Sequence, residues 1–154
     1  MSEYRATILW QRKADEKFTD ARFSRGHRWQ FDEGVEVPAS ASPRVVPLPL
    51  SVAAAIDPEE AFVASLSSCH MLSFLYLASR AGLEVTAYED EAVGVMAKND
   101  QGATWISTVT LQPKVTFRVS PSAEQERQLH DQAHHDCFIA NSVKSEVHVR
   151  PAAR

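Results

Sequence analysis

The sequence has 154 residues, 44% hydrophobic and 23% charged, with seven Phe, three Trp and three Tyr, enough apolar material for one ordinary core and a single domain over 1–154. A net charge of -4 without any block of Lys and Arg excludes a nucleic-acid surface or an anionic membrane surface, which are bound through concentrated positive charge. The opening MSEYRATILW lacks the basic-then-apolar pattern of a signal peptide, so the expected location is the cytoplasm, where a standing disulfide is disfavoured and a transient catalytic one is not.

In chain order, YRATILW (4–10) and ARFSRGHRWQFD (21–32) have the aromatic and β-branched content of strands, and Asp32-Glu33-Gly34 offers a turn before VEVP. An opening β-meander is predicted. Residues 38–58 hold five of the eight prolines, which exclude regular helix and a central strand and leave an ordered loop.

A helix over 58–81 follows, with Asp57 as its cap, Pro58 in its first position, Glu60 three residues after the cap and Gly82 as its stop. Phe62, Leu66, Cys69 and Leu72 share one stripe, while Phe74, Leu75 and Leu77 cover other faces. A helix apolar all round must be covered all round, and one curved sheet from so short a chain covers only part of it. A partner subunit is the natural source of the rest. Residues 61–79 carry no charge over 19 positions, about the length that crosses a bilayer, but five serines and a histidine make a poor span, and no membrane association is expected.

EVTAYEDEAVGVMAK (84–98), the turn NDQG and ATWISTVTLQPKVTFRV (103–119) read as a long antiparallel hairpin. Ser120 and Pro121 open a second helix over about 121–135, with Glu124, Glu126 and Arg127 on its exposed face, and it leads into Cys137. KSEVHVRP (144–151) is a closing strand. The class is α+β, with helices segregated from antiparallel strands.

The chemistry centres on two cysteines, Cys69 in SLSSCHML and Cys137 in HHDCFIANS, 68 residues apart and each near histidine. Each alone reads as a small core hydrophobe. With His70, His134 and His135 they have the residue types of a zinc site, but without Cys-x-x-Cys spacing only the fold could bring them together, and the histidines read better as hydrogen-bonded or solvated helix residues. No metal is expected. The third reading is that the two thiols are halves of one redox reaction.

The combined pattern, DPEEAFVASLSSCHMLSFLYLASRAGLEVTAYE followed much later by AHHDCFIANSV and a last strand, resembles the osmotically inducible and organic hydroperoxide resistance (OsmC/Ohr) family over most of the chain. Its distinctive parts are Pro58-Glu59 ten residues before the helical cysteine, the Gly-Leu-x-Val exit at Gly82, and a cysteine followed by a short polar helix before the final strand. Asp57 departs from the Asn that the family often has before Pro-Glu; both cap helices.

The resemblance implies an OsmC-like fold, antiparallel sheets around a long buried central helix in an intertwined dimer, and a thiol peroxidase for organic hydroperoxides without metal, haem or flavin. Cys69 would be the peroxidatic residue and Cys137 the partner that closes a disulfide with it. A dithiol reductant would reset the pair, lipoylated proteins being the family's example. An apolar helix interior favours the unreactive thiol, so a cation must stand near Cys69. In the family an early-strand arginine does this and an acid holds it: the acid maps onto Glu59, the arginine onto Arg25 in FSRGHR, with Arg22 and Arg28 as neighbours. The alternative is a non-catalytic stress or ligand-binding protein on the same fold.

Ten residues of straight helix separate Glu59 from Cys69 by roughly 15 Å. Either the helix breaks between them, for instance near Ser65 to Ser68, or Glu59 serves the cysteine of a second chain, which favours a homodimer with active sites at its interface.

Overall fold

A computed structural model describes residues 1–152. The chain divides into two compact units, Met1–Ala61 and the remainder from Phe62.

In the first unit, β1 (Thr7–Leu9), β2 (His27–Gln30) and β3 (Glu36–Ala39) form an antiparallel sheet in the order β1-β2-β3, with Trp29 opposite both Ile8 and Val37. The meander is as expected; its first two strands are shorter. Residues 10–26 stay irregular because their aromatics pack on one another: Phe18 stacks on Phe23 at 4.7 Å, both meet Trp10, and the Trp10 indole donates to the Ser24 carbonyl at 2.9 Å. Rings that suit a strand also suit a small loop core. A 3-10 turn at Asp32–Gly34 joins β2 to β3, with Gly34 at φ 78° where a side chain would be strained.

The proline-rich segment has no regular element, and its polar groups are met locally. Buried Ser40 accepts from the Val52 N–H at 2.9 Å through its hydroxyl and donates its own N–H to the Ile56 carbonyl at 3.0 Å. It ends in a capping box: the Glu60 N–H donates to the Asp57 carboxylate at 2.7 Å, and the Asp57 N–H to the Glu60 carboxylate at 3.3 Å.

Helix α1 (Pro58–Arg80) runs unbroken. It ends at Gly82 (φ 71°), where the Leu83 N–H reaches the Ala78 carbonyl at 2.9 Å and the Gly82 N–H that of Ser79 at 3.1 Å, the paired bonds of a Schellman stop.

In the second unit β4 (Val85–Asp90), β5 (Val93–Lys98), β6 (Thr104–Leu111) and β7 (Pro113–Phe117) keep the register expected of one long hairpin but belong to two sheets, β4 with β7 in one and β5 with β6 in the other. The hairpin is interrupted because side chains replace the ladder: Asp90 accepts from the Gln112 N–H at 2.6 Å, the Gln112 amide donates to the Glu91 carbonyl at 2.9 Å, and Pro113 has no N–H to give. After α2 (Ala123–Asp136), which Ser122 rather than Ser120 caps, β8 (Glu146–Val149) joins β6 in parallel, whereas the other paired strands run antiparallel. The excursion through β7 and α2 supplies the crossover a parallel pair requires.

Leu66, His70, Phe74 and Ala78, each four residues from the last, are the buried row of α1. Phe74 and Ala78 pack with Phe117 of β7 and Ala133 of α2, and Leu66 packs with Val109 and Leu111 of β6. By length and composition α1 could also cross a membrane, with mean hydropathy 1.5. Within the single chain the expected all-round cover is incomplete: Leu72 is 61% exposed and Tyr76 66%.

Candidate active site

Two elements of the second unit carry the cysteines. Cys69 lies on α1, half-buried, one residue before the buried row's His70, and Cys137 is the residue that closes α2. The chain turns sharply there: the Asn141 amide donates to the carbonyls of His135 at 2.8 Å and Cys137 at 3.1 Å, satisfying the orphan acceptors at the helix end. The Ala140 N–H points at the Cys137 sulfur from 3.4 Å.

Both cysteines are free, and the Cys69 thiol is near enough to Cys137 to act on its ionisation. Burial first, and then the Cys69 thiol beside it, push the Cys137 pKa up to about 11, while the N–H groups of Ala140 and Ile139 pull weakly the other way. Cys137 is therefore a sealed, protonated thiol at neutral pH, with 1% of its surface exposed.

The metal reading gains no support, since among the described residues no group of three or more His, Cys, Asp or Glu side chains is placed to hold an ion. His70 instead faces His130 of α2, with Nε2 and Nδ1 3.0 Å apart. His130 was missing from the sequence reading. Its one legible signal is that it stands seven residues before Cys137, two turns back on the same side of α2.

In the first unit Arg25 is half-buried just before β2. Its N–H donates to the Leu50 carbonyl at 2.7 Å, and its guanidinium donates to the Phe23 carbonyl and lies 3.7 Å from the centre of the Phe23 ring. Glu59 is half-buried in the first turn of α1, and no ion pair joins it to Arg25 within the described chain. Arg28 is exposed on β2, 3.8 Å from Glu36, and Arg22 is exposed in the loop. An open groove of about 510 Å³ runs beside this sheet, lined by Leu9, Trp10, His27, Arg28, Pro38 and Val52. Because α1 is continuous, the break that could have folded Glu59 back onto its own Cys69 is absent.

A solved structure of an OsmC-like protein of unknown function from Vibrio cholerae is 51% identical, covers 99% of this chain and 100% of its own, and superposes with a TM-score of 0.96. An OsmC-like protein from Mycoplasma pneumoniae (13% identity, 98% and 96% covered, TM-score 0.74) and an organic hydroperoxide resistance protein from Elizabethkingia anophelis (15% identity, 97% and 95% covered, TM-score 0.68) share the fold. No curated protein matches the sequence. The family model described as OsmC-like protein matches residues 51–151, which hold both cysteines and all of α1 and α2. With that match over about two thirds of its length and a relative half identical along its whole length, the chain belongs to the OsmC-like family.

Proposed function

We propose that this chain is a cysteine-based peroxidase acting on organic hydroperoxides. The observation that carries the reading is the nearness of the two thiols, one half-open on α1 and one sealed at the end of α2. Neighbours of the same fold named for organic hydroperoxide resistance agree with it.

The Cys69 thiolate attacks the terminal oxygen of ROOH, the O–O bond breaks, and the alkoxide takes a proton to leave as ROH with Cys69 as sulfenic acid. The Cys137 sulfur then attacks the Cys69 sulfur; the S–O bond breaks, the hydroxide leaves as water with the Cys137 proton, and the disulfide forms. A dithiol, of the lipoyl type by family likeness, reduces the disulfide by two exchanges and is itself oxidised to a disulfide. No metal or organic cofactor enters this cycle. Arg25 stands as the cation for the Cys69 thiolate and Glu59 as the acid that holds it, with Arg22 and Arg28 as the neighbouring candidates.

The exposed Leu72 and Tyr76 on α1, and the ten-position helical separation of Glu59 from Cys69, support a homodimer in which one chain's Glu59 serves its partner's Cys69. A cytoplasmic setting suits a cycle that needs both thiols kept reduced.

Thiol counting tests the reading. One equivalent of cumene hydroperoxide should consume both free thiols and yield an internal Cys69–Cys137 disulfide. Two thiols surviving stoichiometric peroxide would favour a ligand-binding role instead.

A further inference from the structure

The buried row of α1 contains one polar residue, His70, and it meets the one buried polar residue of α2, His130. Their exposures are 0% and 2%, their rings stack 7° from parallel at 5.4 Å, and His130 also stacks on Phe74 at 4.2 Å. The bond between Nε2 of His70 and Nδ1 of His130 uses one N–H and one lone pair. Whichever ring donates, the outer nitrogens, Nδ1 of His70 and Nε2 of His130, are left as one N–H and one lone pair, and neither has a partner in the protein.

An added proton must go to the outer lone pair. The pair would then carry a buried charge with an N–H at each end and no acceptor for either. Around it stand His134 on α2, Ser67 on α1, and Asp90 and Tyr88 on β4. His134 opposes a charge on His70; Asp90 favours one, but its oxygens already accept from Ser67 and the Gln112 N–H. Burial dominates, and both histidines fall to about 4.

The pair sits between the two cysteines' supports. His70 follows Cys69 on α1, and His130 lies two turns before Cys137 on α2, so the joint that holds α2 to α1 also sets where Cys137 rests. We propose that the neutral His70–His130 pair is a latch that positions Cys137 against Cys69, and that protonation of the pair lifts the end of α2 and releases Cys137 to solvent. The consequence for catalysis rests on the peroxidase reading; the latch does not.

The test therefore uses no peroxide. Full-length Cys69→Ser protein leaves Cys137 as the one thiol, and its reaction with a dipyridyl disulfide, which remains thiol-reactive in acid, is followed from pH 7 to pH 4.5 as a ratio to glutathione. Both thiols titrate above this window, so their thiolate fractions fall in parallel and cancel in the ratio. The ratio should rise at least about tenfold as pH falls, while far-UV circular dichroism keeps its helical signal. His130→Phe, which keeps the stack on Phe74 and removes the bond, should be reactive already at pH 7 and flat. The double variant His70→Gln/His130→Asn, which keeps a polar contact that cannot titrate, should stay protected and flat. Where His130→Phe fails to fold, the parent and double-variant profiles decide. A flat parent profile, the same rise in the double variant, or release that coincides with loss of the helical signal would overturn the latch.

Discussion

Cys137 is sealed beneath the end of α2 beside Cys69, which stays half-open to solvent on α1. On the proposed peroxidase reading this asymmetry divides the labour, with Cys69 meeting the peroxide and Cys137 meeting what Cys69 becomes. Cys69→Ser should abolish peroxide turnover. Cys137→Ser should consume one equivalent, stop as Cys69 sulfenic acid, and gain two oxygens in total by mass at high peroxide as sulfinic acid. Wild-type turnover in Cys69→Ser would end the peroxidase reading.

What was legible in the sequence was local. The Asp57–Glu60 capping box and the Gly82 stop depend on residues within a turn of one another, and both formed as read. The split of the long hairpin at Asp90 and Gln112 was hidden, because it turns on hydrogen bonds between residues 22 positions apart. So was His130, whose partner lies 60 residues earlier on another helix. That Cys69 and Cys137 act as a pair is implied by family resemblance alone, since their spacing carries no metal or redox signature. Residues 21–26 misled because aromatic content reports burial without saying whether a strand or a loop core does the burying.

Leu72 and Tyr76, exposed along α1, carry the prediction of a dimer. Burying each large apolar side chain contributes on the order of 1.5–3 kcal/mol. Light scattering at micromolar protein should give twice the chain mass, and Leu72→Glu/Tyr76→Glu should shift it toward one. A monomer mass for the unaltered protein would remove both the interface and the route from Glu59 to a partner's Cys69.

Gly94 of β5 faces α1 so closely that a Cβ there would lie 2.6 Å from the Val63 side chain. Val63 is β-branched and has little rotamer freedom in a helix, so it cannot swing aside. Gly94→Ala should destabilise by about 1–3 kcal/mol in urea unfolding, and Gly94→Ala/Val63→Ala should recover part of that loss. Additive losses would show that the crowding lies elsewhere.

Arg25 rests on the Phe23 ring with its guanidinium half-buried. If it supplies the cation for the Cys69 thiolate, Arg25→Ala should slow single-turnover peroxide reduction at neutral pH by about tenfold or more, recovering as pH rises. Lysine at this position keeps the charge but loses the planar fork, so Arg25→Lys should restore the pH profile better than the rate. Rates equal to wild type in Arg25→Ala would move the role to Arg22 or Arg28.

The buried histidines also make whole-molecule stability depend on pH. Both are depressed from 6.5 to about 4, so between those values the unfolded chain binds more protons than the folded one, and stability rises with pH. The contribution is fully present above pH 6.5 and is lost as pH falls through 4. A depression of that size corresponds to roughly 3 kcal/mol for one histidine, and the pair shares a hydrogen bond, so twice that figure is a ceiling. Urea midpoints at pH 7 and pH 4.5 should therefore differ more in wild type than in His70→Gln/His130→Asn. The carboxylates that also titrate there are common to both proteins and cancel in the comparison. Equal pH slopes would mean that the folded pair takes up protons as readily as the unfolded chain, against the 3.0 Å bond between Nε2 of His70 and Nδ1 of His130 and the enclosure of their unpartnered outer nitrogens.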